Sequence, residues 1–247
     1  MIIEAISVIP EVFGPYMEAS ILGRAQARQI FEFRAHDLRD WTHDRHRTVD
    51  DAPFGGGPGM LMKPEPLFEA VRAVQAQEPV HARCIFFTPT GAPFTQATAA
   101  RLATYDRLLM VCGRYEGMDD RVYELADECI SLGDYVLTGG EVAAMAVTDA
   151  VVRLLPGALG DDASSVSESF SDGLLEYAQY TRPASFEGRE VPSVLLSGDH
   201  AKVDQWRRRN AIERTFLLRP DLLDAAALSP DEQEFVQELK AHSAQDL

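Results

Sequence analysis

Basic residues are scarce in this chain: 23 Lys and Arg stand against 39 Asp and Glu, a net charge of −16 with the six histidines neutral. That balance excludes a polybasic nucleic-acid tail. There are only three cysteines. Cys84, Cys112 and Cys129 lack CxxC spacing and sit inside apolar runs, which argues against a disulfide frame or a zinc site and for small core residues. No window approaches the roughly 18 unbroken apolar residues of a membrane span, and the opening Met1-Ile2-Ile3-Glu4 has neither a basic n-region nor a cleavage site. A cytoplasmic protein with no membrane partner is expected. Neither GxGxxG between a strand and a helix nor GK[ST] occurs, so a dinucleotide oxidoreductase and a P-loop enzyme are disfavoured.

What is present is ordinary for a folded chain. The 247 residues are 46% apolar, enough for one large or two small domains with real cores. Ile2–Ile9 and Ile30–Phe33 read as strands, and Leu67, Phe68, Val71 and Val74 have helical spacing behind Pro64 and Pro66. Cys84–Phe87, Leu108–Cys112 and Cys129–Leu132 are short, nearly all-apolar runs, as expected of parallel strands covered on both faces. The plan is α/β with a parallel sheet over 1–157. Residues 158–173 hold four acids, a run of serines and no base, the composition of a flexible linker. A small helical domain over 174–247 follows. Its stretch 200–219 has six Lys or Arg against two acids, and the acidic helix after Pro230 is expected to be solvated.

The three short strands lead into Thr88-Pro89-Thr90-Gly91, Gly113-Arg114-Tyr115-Glu116-Gly117 and Gly133–Gly140. One glycine turn after a strand is commonplace. Three at successive strand ends point to a cleft lined by backbone at one edge of the sheet, where open α/β folds bind ligands. The glycine cluster at 53–60 follows Thr42-His43-Asp44-Arg45-His46-Arg47, and its amides suit an anion nest as well as a plain surface loop. In Glu141–Leu155 the only charges are Glu141, Asp149 and Arg153, within about 120° of one another on a helix. A helix apolar over the rest of its circumference needs more than one surface to bury it, so a homodimer is expected. Arg153, four residues after Asp149, fits a local ion pair as well as a place in a site.

At these residues the chain resembles the bacterial tRNA (guanine-N1)-methyltransferases of the SPOUT class, the TrmD family. The resemblance lies in THDRHRTVDDAPFGGGPGM at 42–60, CGRYEGMDDRV at 112–122, LGDYVLTGGE at 132–141, YTRP at 180–183 and VPSVLLSGDHAKVDQWR at 191–207. It implies a trefoil-knotted domain binding S-adenosyl-L-methionine, a flexible linker, a helical tRNA-binding domain and a dimer whose active sites are shared between chains. It implies methyl transfer to N1 of the guanosine 3′ of the anticodon, position 37. Phe86, Thr88, Pro89, Gly91, Gly113, Tyr115, Glu116, Leu132, Gly133, Asp134, Tyr135, Val136, Leu137, Gly139 and Gly140 match the family's cofactor-binding positions.

Glu168 stands where the family has its catalytic Asp, and Arg153 matches its site arginine. Glu176, Gln179 and Ala143 replace the usual Asp, His and Pro. A carboxylate at Glu168 would take the N1 proton, with Asp172 or Asp162 as fallbacks, while Arg153 would stabilise charge on O6. No metal is required. His46, Arg47, Lys202, Arg207, Arg208, Arg209 and Arg214 are candidates for tRNA contact, with a solvated helix face as the plain alternative for the last five. The substitutions at 168, 176 and 179 leave a second reading, a non-catalytic RNA-binding or S-adenosylmethionine-binding module with an impaired base.

Overall fold

Burial on both faces explains why the strands of this chain carry so few polar residues. The computed structural model describes residues 1–160, 169–170 and 172–243, and the chain divides into two compact units, Met1–Asp162 and Ala163–Leu247. In chain order the first unit contains β1 (Ile2–Ser7), α1 (Gly14–Met17), α2 (Ser20–Ala27), β2 (Glu32–Asp37), β3 (Asp50–Asp51) and β4 (Leu61–Met62). It continues with α3 (Pro64–Gln75), β5 (Arg83–Pro93), α4 (Gln96–Leu102), β6 (Arg107–Val111), β7 (Glu128–Ser131) and α5 (Glu141–Val152). The main sheet has the order β2-β1-β6-β5-β7, and all four pairings are parallel. The α/β class read from the apolar runs is the class observed.

Alternate residues of the central strands feed two cores. Ile3, Ala5, Leu108 and Met110 pack with Met17, Leu22, Ala25, Val147 and Val151 from α1, α2 and α5. Ile6, Leu109, Val111 and Phe86 pack with Leu67, Ala70, Val71 and Val74 of α3 on the opposite face. α3 starts where expected because Pro64 and Pro66 lie in its first turn, where a missing N–H removes no intrahelical bond. β5 departs from expectation. The strand does not stop at Phe87; its register on β7 shifts between Phe87 and Ala92, so Thr88–Gly91 is a bulge inside a longer strand.

One ion pair lies wholly inside this unit. Glu4 is fully buried on β1, and Arg107 at the start of β6 is 1% exposed. Arg107 Nε donates to Glu4 Oε2 at 2.6 Å, while its terminal nitrogens donate to the carbonyls of Val74, Gln75 and Val80. The guanidinium therefore closes the C-terminal end of α3 as well as pairing β1. His36 Nε2 lies 3.1 Å from the other Glu4 oxygen. Burial alone would raise the Glu4 carboxyl, but the hydrogen bonds and charges of His36 and Arg107 outweigh it and hold it below the ordinary value.

The second unit is mostly helical, with a small hairpin of β8 (Ser185–Phe186) and β9 (Arg189–Glu190), then α6 (His200–Leu218), α7 (Pro220–Leu223) and α8 (Pro230–Ser243). Leu174, Ala211, Ile212 and Val236 form its core. Asn210 Oδ1 accepts from the Ala178 amide at 2.7 Å, and Thr215 Oγ1 accepts from the Leu175 amide at 2.9 Å. Polar side chains of α6 thus satisfy the extended segment that crosses it. The acidic last helix is not simply solvated: Val236 is 5% exposed, and Glu232 pairs with Arg208 of α6.

Glu4→Gln leaves the Arg107 charge buried without a counter-charge, and we expect a loss of about 3–5 kcal/mol at neutral pH. A lowered native carboxyl means that the stabilisation is complete above the unfolded value near 4.5 and disappears as pH falls through the native one. In urea unfolding the gap between wild type and variant should therefore hold above about pH 4.5 and close progressively as pH falls below it. A gap independent of pH would contradict this account.

Candidate functional site

β6 ends at Val111 and β7 at Ser131, and the chain after each leaves the same edge of the sheet beside the bulge of β5. These segments close around a cavity of about 320 Å³, a size suited to a small organic molecule. Of the sequence-derived positions, Thr88, Pro89, Gly113, Tyr115, Glu116, Leu132, Gly133, Tyr135, Val136, Leu137, Gly139 and Gly140 line it. Three do not. Phe86 is fully buried beneath, its ring 5.7 Å from that of Tyr123. Gly91 packs against the backbone of Cys129 and Ile130, and the exposed Asp134 is absent from the lining.

The loops are tied to one another through their backbones. Gly140 N–H donates to Gly113 O at 2.9 Å, and Arg114 and Gly139 form an antiparallel bridge. Room for this is tight. A Cβ on Gly140 would stand 2.9 Å from Cys112 Cα, and one on Gly139 would meet Glu141 Oε2 at 2.4 Å and the Arg114 side chain at 2.9 Å. Gly139 has no room for a side chain because the Glu141–Arg114 pair lies against it, and Gly140 has none because the Cys112 backbone does. The 53–60 cluster belongs to the same assembly: Glu116 N–H donates to Met60 O at 3.0 Å and Met62 N–H to Gly117 O at 2.9 Å. Partial burial, followed by the nearby Asp50 carboxylate, pushes the Tyr115 phenol above its ordinary value.

The ion pair was not legible as such. By spacing Glu141 is one of three charges grouped on one side of Glu141–Leu155, yet it is 3% exposed. It accepts from Ser7 Oγ at 2.7 Å and pairs with Arg114 Nε at 3.1 Å. Arg114 and Glu116 are the two charged residues of the lining. Ala143, the replacement for the family's Pro, lines the cavity, and so do Phe87, Met118, Tyr123 and Ile130, which escaped the loop-by-loop reading. Their apolar side chains signal core, and only the sheet edge brings them to the ligand space.

Glu168 and Asp162 lie outside the described residues. Arg153 caps the C-terminus of α5, its N–H on Asp149 O, and the Asp149 carboxylate accepts from Tyr16. Arg153 is not in the cavity lining. His46 and Arg47 are exposed, and the Arg47 guanidinium pairs with Asp40 and Asp37. In the second unit Arg208 is held by Glu232 and Asp172. Arg207 stacks on Tyr177 at 5.1 Å and pairs with Asp204, and Arg209 stacks on Phe235 at 3.9 Å. Arg214 Nε donates to Glu176 O at 3.1 Å, and Lys202 pairs with Asp199. Of these, Arg208 is the most fully engaged within its own unit. Glu176 accepts from Gln179.

What the cavity can do is hold a small molecule by backbone and apolar contacts with one acid and one base at its wall. Among the described residues no helix is long and apolar enough to cross a membrane. A protein of Syntrophotalea carbinolica named tRNA (guanine-N(1)-)-methyltransferase is 50% identical over 240 residues, 97% of each chain. Proteins of the same name from Heliobacterium modesticaldum and Dehalococcoides mccartyi are 52% and 50% identical. The first covers 96% of this chain and 90% of its own, the second 98% of both. The sequence profile described as tRNA (Guanine-1)-methyltransferase TrmD matches residues 1–225. With that match and a strand-edge cavity built from the very loops that carry the family's motifs, this chain belongs to the TrmD family of methyltransferases.

Proposed function

We propose that this chain transfers a methyl group from S-adenosylmethionine to N1 of the guanosine 3′ of the anticodon, position 37, of tRNA. The observation that carries the reading is the convergence of the 88–91, 113–117 and 132–140 segments on one backbone-lined cavity in a chain of this family. The bound donor supplies a methyl already activated on a sulfonium, so the chain's task is mainly to position donor and acceptor in line. Glycines whose Cβ would strike neighbouring backbone or the Glu141–Arg114 pair let the walls approach a folded donor closely.

Guanine N1 carries a proton at neutral pH and becomes nucleophilic only as that proton leaves. In this reading the Glu168 carboxylate accepts it while the methyl moves from sulfur to N1, and the Arg153 guanidinium faces the charge that develops on O6. Glu168 belongs to the acidic, serine-rich stretch 158–173 of the sequence, and in this reading bound tRNA brings its carboxylate to N1 and completes the site.

A homodimer fits the outer stripe of α5. Val142 is 53% exposed, and Tyr16 and Ile21 are exposed as well, a set of apolar groups that a second copy would cover. The trefoil knot belongs to the same reading, supported by the close backbone pairing of 113–114 with 139–140. The local excess of base on α6 supports tRNA contact there despite the acidic whole.

Incubating the protein with labelled methyl donor and a tRNA transcript bearing guanosine 3′ of the anticodon should place the label on N1. Binding of both partners without transfer would favour the non-catalytic module instead. Glu168→Gln should abolish transfer with donor affinity nearly unchanged; retained turnover would reassign the base. Gly140→Ala should weaken donor binding and destabilise the fold by about 1–3 kcal/mol, read by calorimetry and thermal melting. Wild-type tRNA affinity should fall steeply with salt. Lys202→Ala should lower that log–log slope by about one, whereas Arg208→Ala should lower melting temperature more than slope, its partners being Glu232 and Asp172.

A further inference from the structure

The reaction as described uses neither Glu141 nor Arg114. Yet the Glu141 carboxylate joins three parts of the fold. It stands in the first turn of α5, accepts from Ser7 at the end of β1, and holds Arg114 in the segment after β6. Both carboxylate oxygens lie within 3.2 Å of Arg114 Nε. The terminal nitrogens of Arg114 have no hydrogen-bond partner among the described residues. The side chain lines the cavity and keeps 27% of its surface exposed.

A guanidinium held at Nε by a buried carboxylate has lost rotamer freedom, and its terminal donors stand ready for a planar anion. We infer that Glu141 is a positioning residue that aims Arg114 into the cavity, where Arg114 anchors an anionic group of the ligand, a carboxylate or a phosphate. Glu116, the other charge of the lining, has the opposite sign. A zwitterionic amino-acid end satisfies both, which favours the carboxylate of the methyl donor over a phosphate of the RNA. This inference rests on the methyl-donor reading of the cavity.

The test is calorimetric titration of the whole chain with S-adenosylmethionine and with its decarboxylated analogue, which keeps the sulfonium and the amine. Wild type should prefer the carboxylate-bearing compound by about 10- to 100-fold. Arg114→Met should bring that ratio close to one, and Glu141→Gln should lower it several-fold. Arg114→Lys, expected to retain part of the preference, serves if the Met variant fails to fold. A purely structural Glu141 would weaken both compounds alike and leave the ratio untouched, which would overturn its positioning role.

Salt titration of tRNA binding separates the other source. A slope reduced by about one in Arg114→Met, with the donor ratio unchanged, assigns the anchor to a phosphate. Unchanged ratio and unchanged slope together refute the anchor. Wild type that binds neither small molecule refutes the methyl-donor reading itself, and the salt slope then decides the anchor alone.

Discussion

A single buried carboxylate holds the candidate site together. Glu141 is nearly inaccessible, and an ionised group there is tolerable only because Ser7 and Arg114 satisfy its oxygens. The position also suits it electrostatically, since an acid in the first turn of a helix meets the positive end of the dipole. From this requirement follow Gly139, which leaves room for the Arg114 stem, and the pairing of two loops that would otherwise be free to part. Burial, followed by the Glu141 charge, also pushes the neighbouring Cys112 thiol well above its ordinary range, leaving it inert.

The sheet beneath supplies the rigidity that such a site needs. Its strands are covered on both faces, so the edge where the loops emerge is fixed by two cores rather than one. The Glu4–Arg107 pair secures the region where β1, β6 and the end of α3 meet. Two ion pairs thus divide the work: Glu4–Arg107, fully buried between β1 and β6, closes the scaffold, and Glu141–Arg114, between α5 and the segment after β6, shapes the cavity wall. Function then resides in loops on a stiff frame, the arrangement in which a small misplacement of a wall has a large effect on transfer.

The second unit follows a different logic. Its basic residues read from sequence as an RNA-facing set, but aromatic rings and carboxylates of the same unit engage Arg207, Arg208 and Arg209. Charge counting along a helix cannot separate a cation offered to a partner from one that stitches α6 to α8. That distinction depends on which acids and rings tertiary packing brings opposite.

The apolar runs, the proline-led helix start and the glycines at three strand ends were enough to specify an α/β sheet with a cleft at one edge, because burial on two faces demands those patterns locally. The family's motifs likewise name most of the residues that line the cavity. Hydrophobic periodicity was silent on the bulge that extends β5 to Pro93, since a register shift depends on the neighbouring strand. It was equally silent on Glu141, whose inward direction is set by Ser7 and Arg114, 134 and 27 residues away. Composition and spacing describe each segment alone. Which charge is buried, and against what, is decided only when distant segments meet, because the cost of desolvating a carboxylate is recovered from partners that the linear order does not reveal.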